Sequence, residues 1–105
     1  MIRIGINGFG RIGRRVTRLL SNYSNLKVVA INDLSDAKTL SHLLKYDSVH
    51  GVFEKTVSPE QDAIFIDNEK ISLTKHSHPK DINWQKSNVD IVLECTGKFK
   101  TKEAL

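Results

Sequence analysis

The sequence is poor in cysteine, in long apolar runs and in concentrated charge of one sign. Its single cysteine, Cys95, excludes an internal disulfide and a metal site built from several cysteines. No apolar run is long enough to cross a bilayer, so no membrane partner is expected. The 16 basic and 12 acidic side chains leave a net charge of +4, but these charges are scattered, so we expect no specific nucleic-acid partner.

What remains is the composition of an ordinary globular protein, 39% hydrophobic and 27% charged. At 105 residues the chain forms one domain at most. Met1 is followed at once by a strand pattern, so we expect no signal peptide and a cytoplasmic location.

A strand, a turn and a helix open the chain. Residues 2–7 place isoleucine at alternate positions, which predicts a β-strand. Residues 11–23 carry apolar side chains at helical spacing, which predicts an amphipathic helix. Its predicted inward stripe consists of Ile12, Val16, Leu19, Leu20 and Tyr23. Its predicted solvated face carries Arg11, Arg14, Arg15 and Arg18, with a cofactor contact as the alternative for Arg11.

Between the strand and the helix lies a G-x-G-x-x-G turn, the pattern of a dinucleotide-binding site. Gly8 permits the tight turn, Gly10 lets the backbone approach the pyrophosphate, and Gly13 lets the helix pack closely on the strand. The pyrophosphate then lies at the helix N-terminus, where unpaired N–H groups favour an anion. The expected donors are the backbone amides of Gly10, Arg11 and Ile12.

Asp33 follows Gly13 by twenty residues and ends a second apolar strand, predicted over residues 26–31. A carboxylate there accepts hydrogen bonds from the adenosine ribose and disfavours a 2′-phosphate. The sequence therefore predicts NAD rather than NADP, with Leu34 as an apolar neighbour of the adenosine. A cap for the following helix is the alternative role of Asp33.

The rest of the chain completes an α/β pattern. A second helix is predicted from Ser35 or Asp36 to Lys45. Strands are predicted over residues 52–57, 63–66, 71–74 and 89–93. The middle two form a hairpin and the last is expected to be buried. The expected fold is a Rossmann-type, doubly wound and mostly parallel sheet, incomplete at the C-terminus because a full domain needs roughly 150 residues.

The carboxyl end of the 89–93 strand supplies further candidate cofactor contacts, at the edge where ligands bind in open α/β sheets. They are Thr96, Gly97 and Phe99. Cys95 is interpreted as a small buried side chain, because no histidine is paired with it locally. The four histidines lack metal-ligand spacing and are expected at the surface. Residues 99–105 read as the start of a helix, and we expect a truncation there.

Four segments resemble phosphorylating glyceraldehyde-3-phosphate dehydrogenase of the bacterial type, in the family's order and spacing. They are Gly5-Ile6-Asn7-Gly8-Phe9-Gly10-Arg11-Ile12-Gly13-Arg14, Ala30-Ile31-Asn32-Asp33-Leu34, Leu43-Leu44-Lys45-Tyr46-Asp47-Ser48-Val49-His50-Gly51 and Glu94-Cys95-Thr96-Gly97. The resemblance implies that residues 1–105 are the N-terminal segment of that family's NAD-binding domain, with the catalytic domain absent. It implies an NAD site lined by Asn7, the turn backbone from Phe9 to Ile12, Asp33, Ser77 main chain, Thr96 and Phe99.

The resemblance also implies the activity of a complete enzyme, a homotetramer that oxidises glyceraldehyde 3-phosphate with NAD and phosphate to 1,3-bisphosphoglycerate. That reaction needs a nucleophilic cysteine and a partner histidine. The family's Ser-Cys-Thr-Thr-Asn-Cys stretch is absent here and Cys95 does not match it, so we expect no catalytic residue in this chain and no turnover by it alone. Ser77-His78-Pro79 stands where the family often has Arg-Asp-Pro, and we expect the contact at Ser77 to remain because it uses the main chain.

Two alternatives stay open. Erythrose-4-phosphate dehydrogenase shares the architecture but tends to carry Glu where this chain has Asp33. A non-catalytic, truncated NAD-binding module is the other alternative.

Overall fold

The computed structural model describes residues 1–47 and 51–95. Within these residues the elements are β1 Ile2–Asn7, α1 Arg11–Leu20, β2 Leu26–Asn32, α2 Ala37–Lys45, β3 Tyr46–Asp47, β4 Gly51–Val52, β5 Val57–Glu60, β6 Ala63–Ile66, β7 Glu69–Thr74 and β8 Ile91–Glu94. Two 3₁₀ helices, Pro79–Asp81 and Trp84–Ser87, lie between β7 and β8.

The sheet has the order β5-β6-β7-β2-β1-β8. Strands β7, β2, β1 and β8 run parallel, whereas β5 and β6 are added antiparallel beyond β7. The predicted α/β sheet of Rossmann type is therefore confirmed. Because the four parallel strands end on the same side, their carboxyl ends form one edge of the sheet, and that edge holds the glycine turn.

The two faces of β1 are covered differently. Ile4 and Ile6 point to one face, where they join a buried core that includes Leu40 and Leu44 of α2. Burial of each such side chain contributes about 1.5–3 kcal/mol. On the other face, a Cβ added to Gly5 would lie 2.7 Å from the indole ring of Trp84. The indole therefore lies directly on the β1 backbone, a contact that the sequence analysis did not predict.

The predicted inward stripe of α1 is confirmed for Val16 and Leu20, which pack against the core, but not for its other three members. Ile12 and Leu19 are 65% and 57% exposed, and Tyr23 lies beyond the last helical residue. The buried positions are Gly13 and Thr17. Small residues there bring the helix axis close to the sheet and form the centre of its buried face, which leaves Ile12 and Leu19 on the solvent side.

The predicted solvated arginine face is wrong for Arg18. Its guanidinium donates to the carbonyl oxygens of Leu44, at 2.8 and 3.0 Å, of Lys45, at 3.0 Å, and of Gly51, at 2.8 Å. It also lies over the Phe53 ring, 5.2 Å from the centroid. Arg18 thus satisfies the last carbonyls of α2, which have no partner within their own helix.

Helix α2 begins as predicted, with Asp36 as its N-cap. The Asp36 carboxylate accepts from the Thr39 backbone N–H at 2.8 Å, and this hydrogen bond lowers the pKa of Asp36. Ala37, Leu40 and Leu44 are buried. Within the described residues no helix is both long and apolar enough to span a membrane.

Two predicted strands differ from the structure. The 52–57 segment is not one strand: β4 pairs with β3, and β5 starts only at Val57 and pairs with β6. Between these strands Phe53 is buried, and its backbone carbonyl accepts a hydrogen bond from the Lys45 ammonium group. The predicted burial of the 89–93 strand is also wrong. Ile91 and Val92 are 47% and 41% exposed, because β8 is an edge strand among those described.

The β6–β7 hairpin is confirmed. Ile66 and Glu69 are paired across the turn, and Asp67 takes a positive φ of 56°. Such a left-handed residue is typical of a tight hairpin turn.

Candidate cofactor-binding site

The glycine turn packs tightly beneath the start of α1. Gly8 has a φ of 94°, and its N–H donates to the Asn32 carbonyl at 2.8 Å. A Cβ added to Gly13 would lie 2.5 Å from the Gly8 carbonyl oxygen and 3.3 Å from Ile6 Cγ2. Only glycine at position 13 allows the helix to approach the turn this closely.

The N-terminus of α1 is open. Gly10 is its N-cap and supplies no side-chain hydrogen bond, and the Arg14 N–H donates to the Gly10 carbonyl at 3.0 Å. The N–H groups of Arg11, Ile12 and Gly13 precede that first helical bond, so the helix provides no carbonyl for them. A Cβ added to Gly10 would have no described atom within 4 Å. Backbone donors and open space together fit an anionic group such as a pyrophosphate.

Asp33 is tied directly to this turn. Its Oδ1 accepts from the Phe9 N–H at 2.8 Å, and its Oδ2 accepts from the Ser35 N–H at 3.0 Å. A carboxylate has about four lone-pair positions, so two acceptor positions remain for further hydroxyl groups. Since Asp36 is the N-cap of α2, the alternative role of Asp33 as that cap is wrong.

The other predicted contacts lie around the same edge. Leu34 is 64% exposed beside Asp33, and Ser77 lies in an exposed bend after β7. Phe9 is buried, its N–H is used by Asp33, and its carbonyl accepts from Arg14 Nη1 at 3.1 Å. Arg14 therefore supports the turn instead of pointing into solvent. Thr96, Gly97 and Phe99 lie outside the described residues.

A row of four polar residues crosses the carboxyl edge, one at the end of each parallel strand: Thr74, Asn32, Asn7 and Glu94. We call it the polar row. Thr74 Oγ1 donates to Asn32 Oδ1 at 2.7 Å, Asn32 Nδ2 donates to Asn7 Oδ1 at 3.0 Å, and Asn7 Nδ2 donates to Glu94 Oε2 at 2.9 Å. All three side-chain bonds point in the same direction along the row.

The predicted site residue Asn7 thus has both ends of its amide engaged within the protein, and its side chain is buried. Asn32, which the sequence analysis did not select, is buried at 4% exposure. The sequence does carry a signal for Asn32, since β1 and β2 both end in asparagine. Polar residues at the ends of neighbouring parallel strands lie side by side.

Cys95 follows the polar row and is half-buried. Its backbone N–H donates to the Asn7 carbonyl at 2.8 Å. Burial, and secondarily the charge of Glu94, raise the pKa of the Cys95 thiol. A raised pKa is the opposite of what an activated nucleophile requires.

The described histidines are exposed: His42 on α2, beside the Tyr46 ring at 5.0 Å between centroids, and His76 and His78 after β7. His50 lies outside the described residues. Across residues 1–47 and 51–95 no group of three or more His, Cys, Asp or Glu side chains is arranged to hold a metal ion.

A cavity of about 300 Å³ lies at the opposite edge of the sheet, between the end of α1 and the β6–β7 hairpin. Its rim carries Lys27 and Glu69, which form an ion pair at 3.6 Å. It is separated from the glycine turn by the length of the strands, so it takes no part in the candidate site.

Comparison with known proteins agrees with this geometry. The family model described as glyceraldehyde 3-phosphate dehydrogenase, NAD binding domain, matches residues 2–102. Glyceraldehyde-3-phosphate dehydrogenase 1 of Giardia intestinalis is 50% identical over 103 residues, which cover 97% of this chain and 31% of the relative. Glyceraldehyde-3-phosphate dehydrogenase 1 of Bacillus cereus is 49% identical over 97% of this chain and 30% of the relative.

The enzyme of Mycoplasma pneumoniae with the same name is 47% identical over 97% of this chain and 30% of its own length. The chain thus spans less than a third of the curated relatives it matches. The family model covers nearly the whole chain, and the chain belongs to the family of NAD-binding domains of glyceraldehyde-3-phosphate dehydrogenase.

Proposed function

We propose that this chain binds NAD at the carboxyl edge of its sheet, across the end of β1. The observation that carries the proposal is the bond from the Phe9 N–H to Asp33, which joins the glycine turn and the acidic residue into one unit. In this arrangement the pyrophosphate lies against the amides of Gly10, Arg11 and Ile12. The ribose hydroxyls donate to the two acceptor positions of Asp33 that the protein does not use.

The remaining site residues divide into contacts and supports. Leu34 and the main chain at Ser77 are proposed to border the adenosine, and Thr96, Gly97 and Phe99 complete the site. Gly8, Gly13, Asn7 and the Phe9 backbone act mainly by holding the turn, since their groups are engaged within the protein.

The names of its relatives indicate a dehydrogenase of glyceraldehyde 3-phosphate. For the whole protein we propose that this substrate is oxidised with NAD and phosphate to 1,3-bisphosphoglycerate, and we propose further that the enzyme is a cytoplasmic homotetramer. Bound NAD accepts a hydride in that reaction. This chain supplies the cofactor site as the N-terminal segment, 1–105, of the NAD-binding domain. We assign no catalytic role to Cys95, because its raised thiol pKa disfavours the thiolate.

Isothermal titration calorimetry of the chain with NAD and NADP tests the proposal. We expect saturable binding of NAD, weaker binding of NADP, and no NADH formation when glyceraldehyde 3-phosphate and phosphate are added. Absence of heat together with an unchanged melting temperature in excess NAD would overturn the binding proposal. Tighter binding of NADP than of NAD would overturn the role of Asp33.

A further inference from the structure

We propose that Asn32 is a positioning residue for the adenosine half of the cofactor, acting through the main chain at His76. The inference rests on the proposed NAD site and adds to it a residue that need not touch the ligand. It concerns the segment after β7, residues 75–78, which we call the β7 loop.

The Asn32 amide is saturated by four hydrogen bonds. Oδ1 accepts from Thr74 Oγ1 at 2.7 Å and from the His76 N–H at 2.9 Å. Nδ2 donates to Asn7 Oδ1 at 3.0 Å and to the His76 carbonyl at 2.9 Å. One buried side chain thus holds both backbone groups of His76 and connects them to the end of β1.

Within residues 1–47 and 51–95, little else holds the β7 loop in place. Lys75, His76, Ser77 and His78 are all exposed, so their side chains contribute little burial. A loop with few apolar contacts opens at low free-energy cost unless its backbone is bonded. The pair of bonds from Asn32 is therefore the main restraint on where the loop lies.

The same loop borders the candidate ribose site. The Asp33 N–H donates to the Thr74 carbonyl at 3.0 Å, so the loop leaves β7 beside the residue that carries the ribose-binding carboxylate. A displacement of the loop would open the adenosine side of the site and leave the glycine turn unchanged. The Asn32 side chain thereby acts on the adenosine half through two bonds to His76, and among the described residues it reaches the glycine turn only through its bond to Asn7.

The chemistry requires an amide at this position. In Asn32→Asp the acceptor bonds from Thr74 and from the His76 N–H can remain. A carboxylate oxygen would then face the His76 carbonyl and Asn7 Oδ1, which are both acceptors. Asn7 cannot reorient its amide to relieve this without directing its own oxygen at Glu94.

AMP is the probe, because it contains the adenosine half alone. AMP and NAD affinities are measured by calorimetry for the unmodified chain, Asn32→Asp and Thr74→Val, at a temperature where each is folded. Thr74→Val removes one bond to Asn32 and preserves shape. Ile71→Val is the control, since it removes one buried methylene group from β7 at a position away from the carboxyl edge of the sheet. Exchange of the His76 amide proton is followed without ligand.

We expect AMP affinity to fall about fivefold in Thr74→Val, since one hydrogen bond of about 1 kcal/mol corresponds to that factor, and about tenfold or more in Asn32→Asp, which loses two bonds. The Ile71→Val chain should keep its affinity, and His76 exchange should accelerate in the first two variants alone. If Asn32→Asp does not fold, Thr74→Val decides by the same two measurements.

Unchanged AMP affinity in variants of a chain that binds AMP and NAD would overturn the positioning role and leave the proposed function intact. An equal loss in Ile71→Val would also overturn it, because the effect would then follow from stability. Failure of the unmodified chain to bind either ligand would overturn both proposals.

Discussion

The backbone N–H of Phe9 donates to Oδ1 of Asp33 at 2.8 Å, which joins the glycine turn to the end of β2. The second carboxylate oxygen is held by the Ser35 N–H. Because both donors are backbone groups of this chain, the protein itself holds the carboxylate in one orientation. Such preorganisation reduces the ordering cost of binding.

Asp33→Asn should weaken NAD binding about tenfold and narrow the preference for NAD over NADP. The substitution removes the negative charge and places an amide group where a carboxylate oxygen accepts a hydrogen bond from the Ser35 N–H or from a ribose hydroxyl. A hydrogen bond to a charged group contributes about 1.5–3 kcal/mol, which is the expected loss. Calorimetry with both cofactors measures the change. Asp36→Asn, a neighbouring charge that caps α2, is the control and should leave the cofactor preference as it was. A tenfold loss in the control as well would contradict the prediction.

Gly13→Ala and Gly10→Ala should separate folding from binding. A Cβ at position 13 would lie 2.5 Å from the Gly8 carbonyl oxygen, so we expect a loss of about 1–3 kcal/mol in the free energy of unfolding. A Cβ at position 10 meets no described atom within 4 Å, so stability should fall by about 1 kcal/mol or less. NAD affinity should nevertheless fall in Gly10→Ala, because the methyl group occupies the proposed pyrophosphate position. Urea unfolding and calorimetry give the two quantities, and full NAD affinity in Gly10→Ala would show that the pyrophosphate lies elsewhere.

Arg18→Met should destabilise the chain by about 2–3 kcal/mol without changing NAD affinity. The substitution retains most of the apolar stem but removes the guanidinium that bonds the carbonyls of Leu44, Lys45 and Gly51. Arg15→Met, at an exposed position on the same helix, should change stability by less than about 0.5 kcal/mol. Urea unfolding of both variants measures the difference, and equal values would exclude a structural role for Arg18.

Cys95 should react slowly with iodoacetamide, and its rate should keep rising at pH values where an ordinary thiol has levelled off. Burial and the charge of Glu94 raise the pKa of the thiol, so folding favours its protonated form. The resulting stabilisation is complete below the pKa of the unfolded thiol and is lost as pH rises through the higher folded value. The free energy of unfolding, measured from pH 8 to alkaline pH, should therefore decline in the unmodified chain, and Cys95→Ala should lack this part of the decline. Faster alkylation in the folded chain than in urea would contradict this.

Local patterns predicted much of the fold. The alternating isoleucines of β1, the cap at Asp36 and the β6–β7 hairpin depend on neighbours within a few residues, so they can be read from sequence. The glycine turn could be predicted for the same reason. The buried face of α1 could not, because small residues at Gly13 and Thr17 set the helix closer to the sheet than apolar periodicity indicates.

Long-range pairing accounts for the remaining errors. The sequence indicated a surface charge at Arg18, because the carbonyl groups that it bonds, at the end of α2 and in β4, lie 26 or more residues along the chain. Asn32 could not be identified because its role depends on which strands are neighbours and in what register. In the candidate site, sequence patterns indicated the residues proposed to contact a ligand, but not Asn32, which bonds the segment around them.

The polar row also bears on how the strands find their alignment. A slip of one residue moves the side chains of a strand to the other face of the sheet, and in β1 it would take Ile4 and Ile6 out of the core. Strands β1 and β2 carry an irregularity between Ile4 and Gly5, after which Asn7 meets Asn32. A slip of one residue in any of the four strands would leave a buried amide without its partner, at a cost of about 1–3 kcal/mol for each unpaired group. The row thus adds an unpaired polar group to the apolar cost of any slipped alignment, and the proposed cofactor edge is assembled only in the observed register.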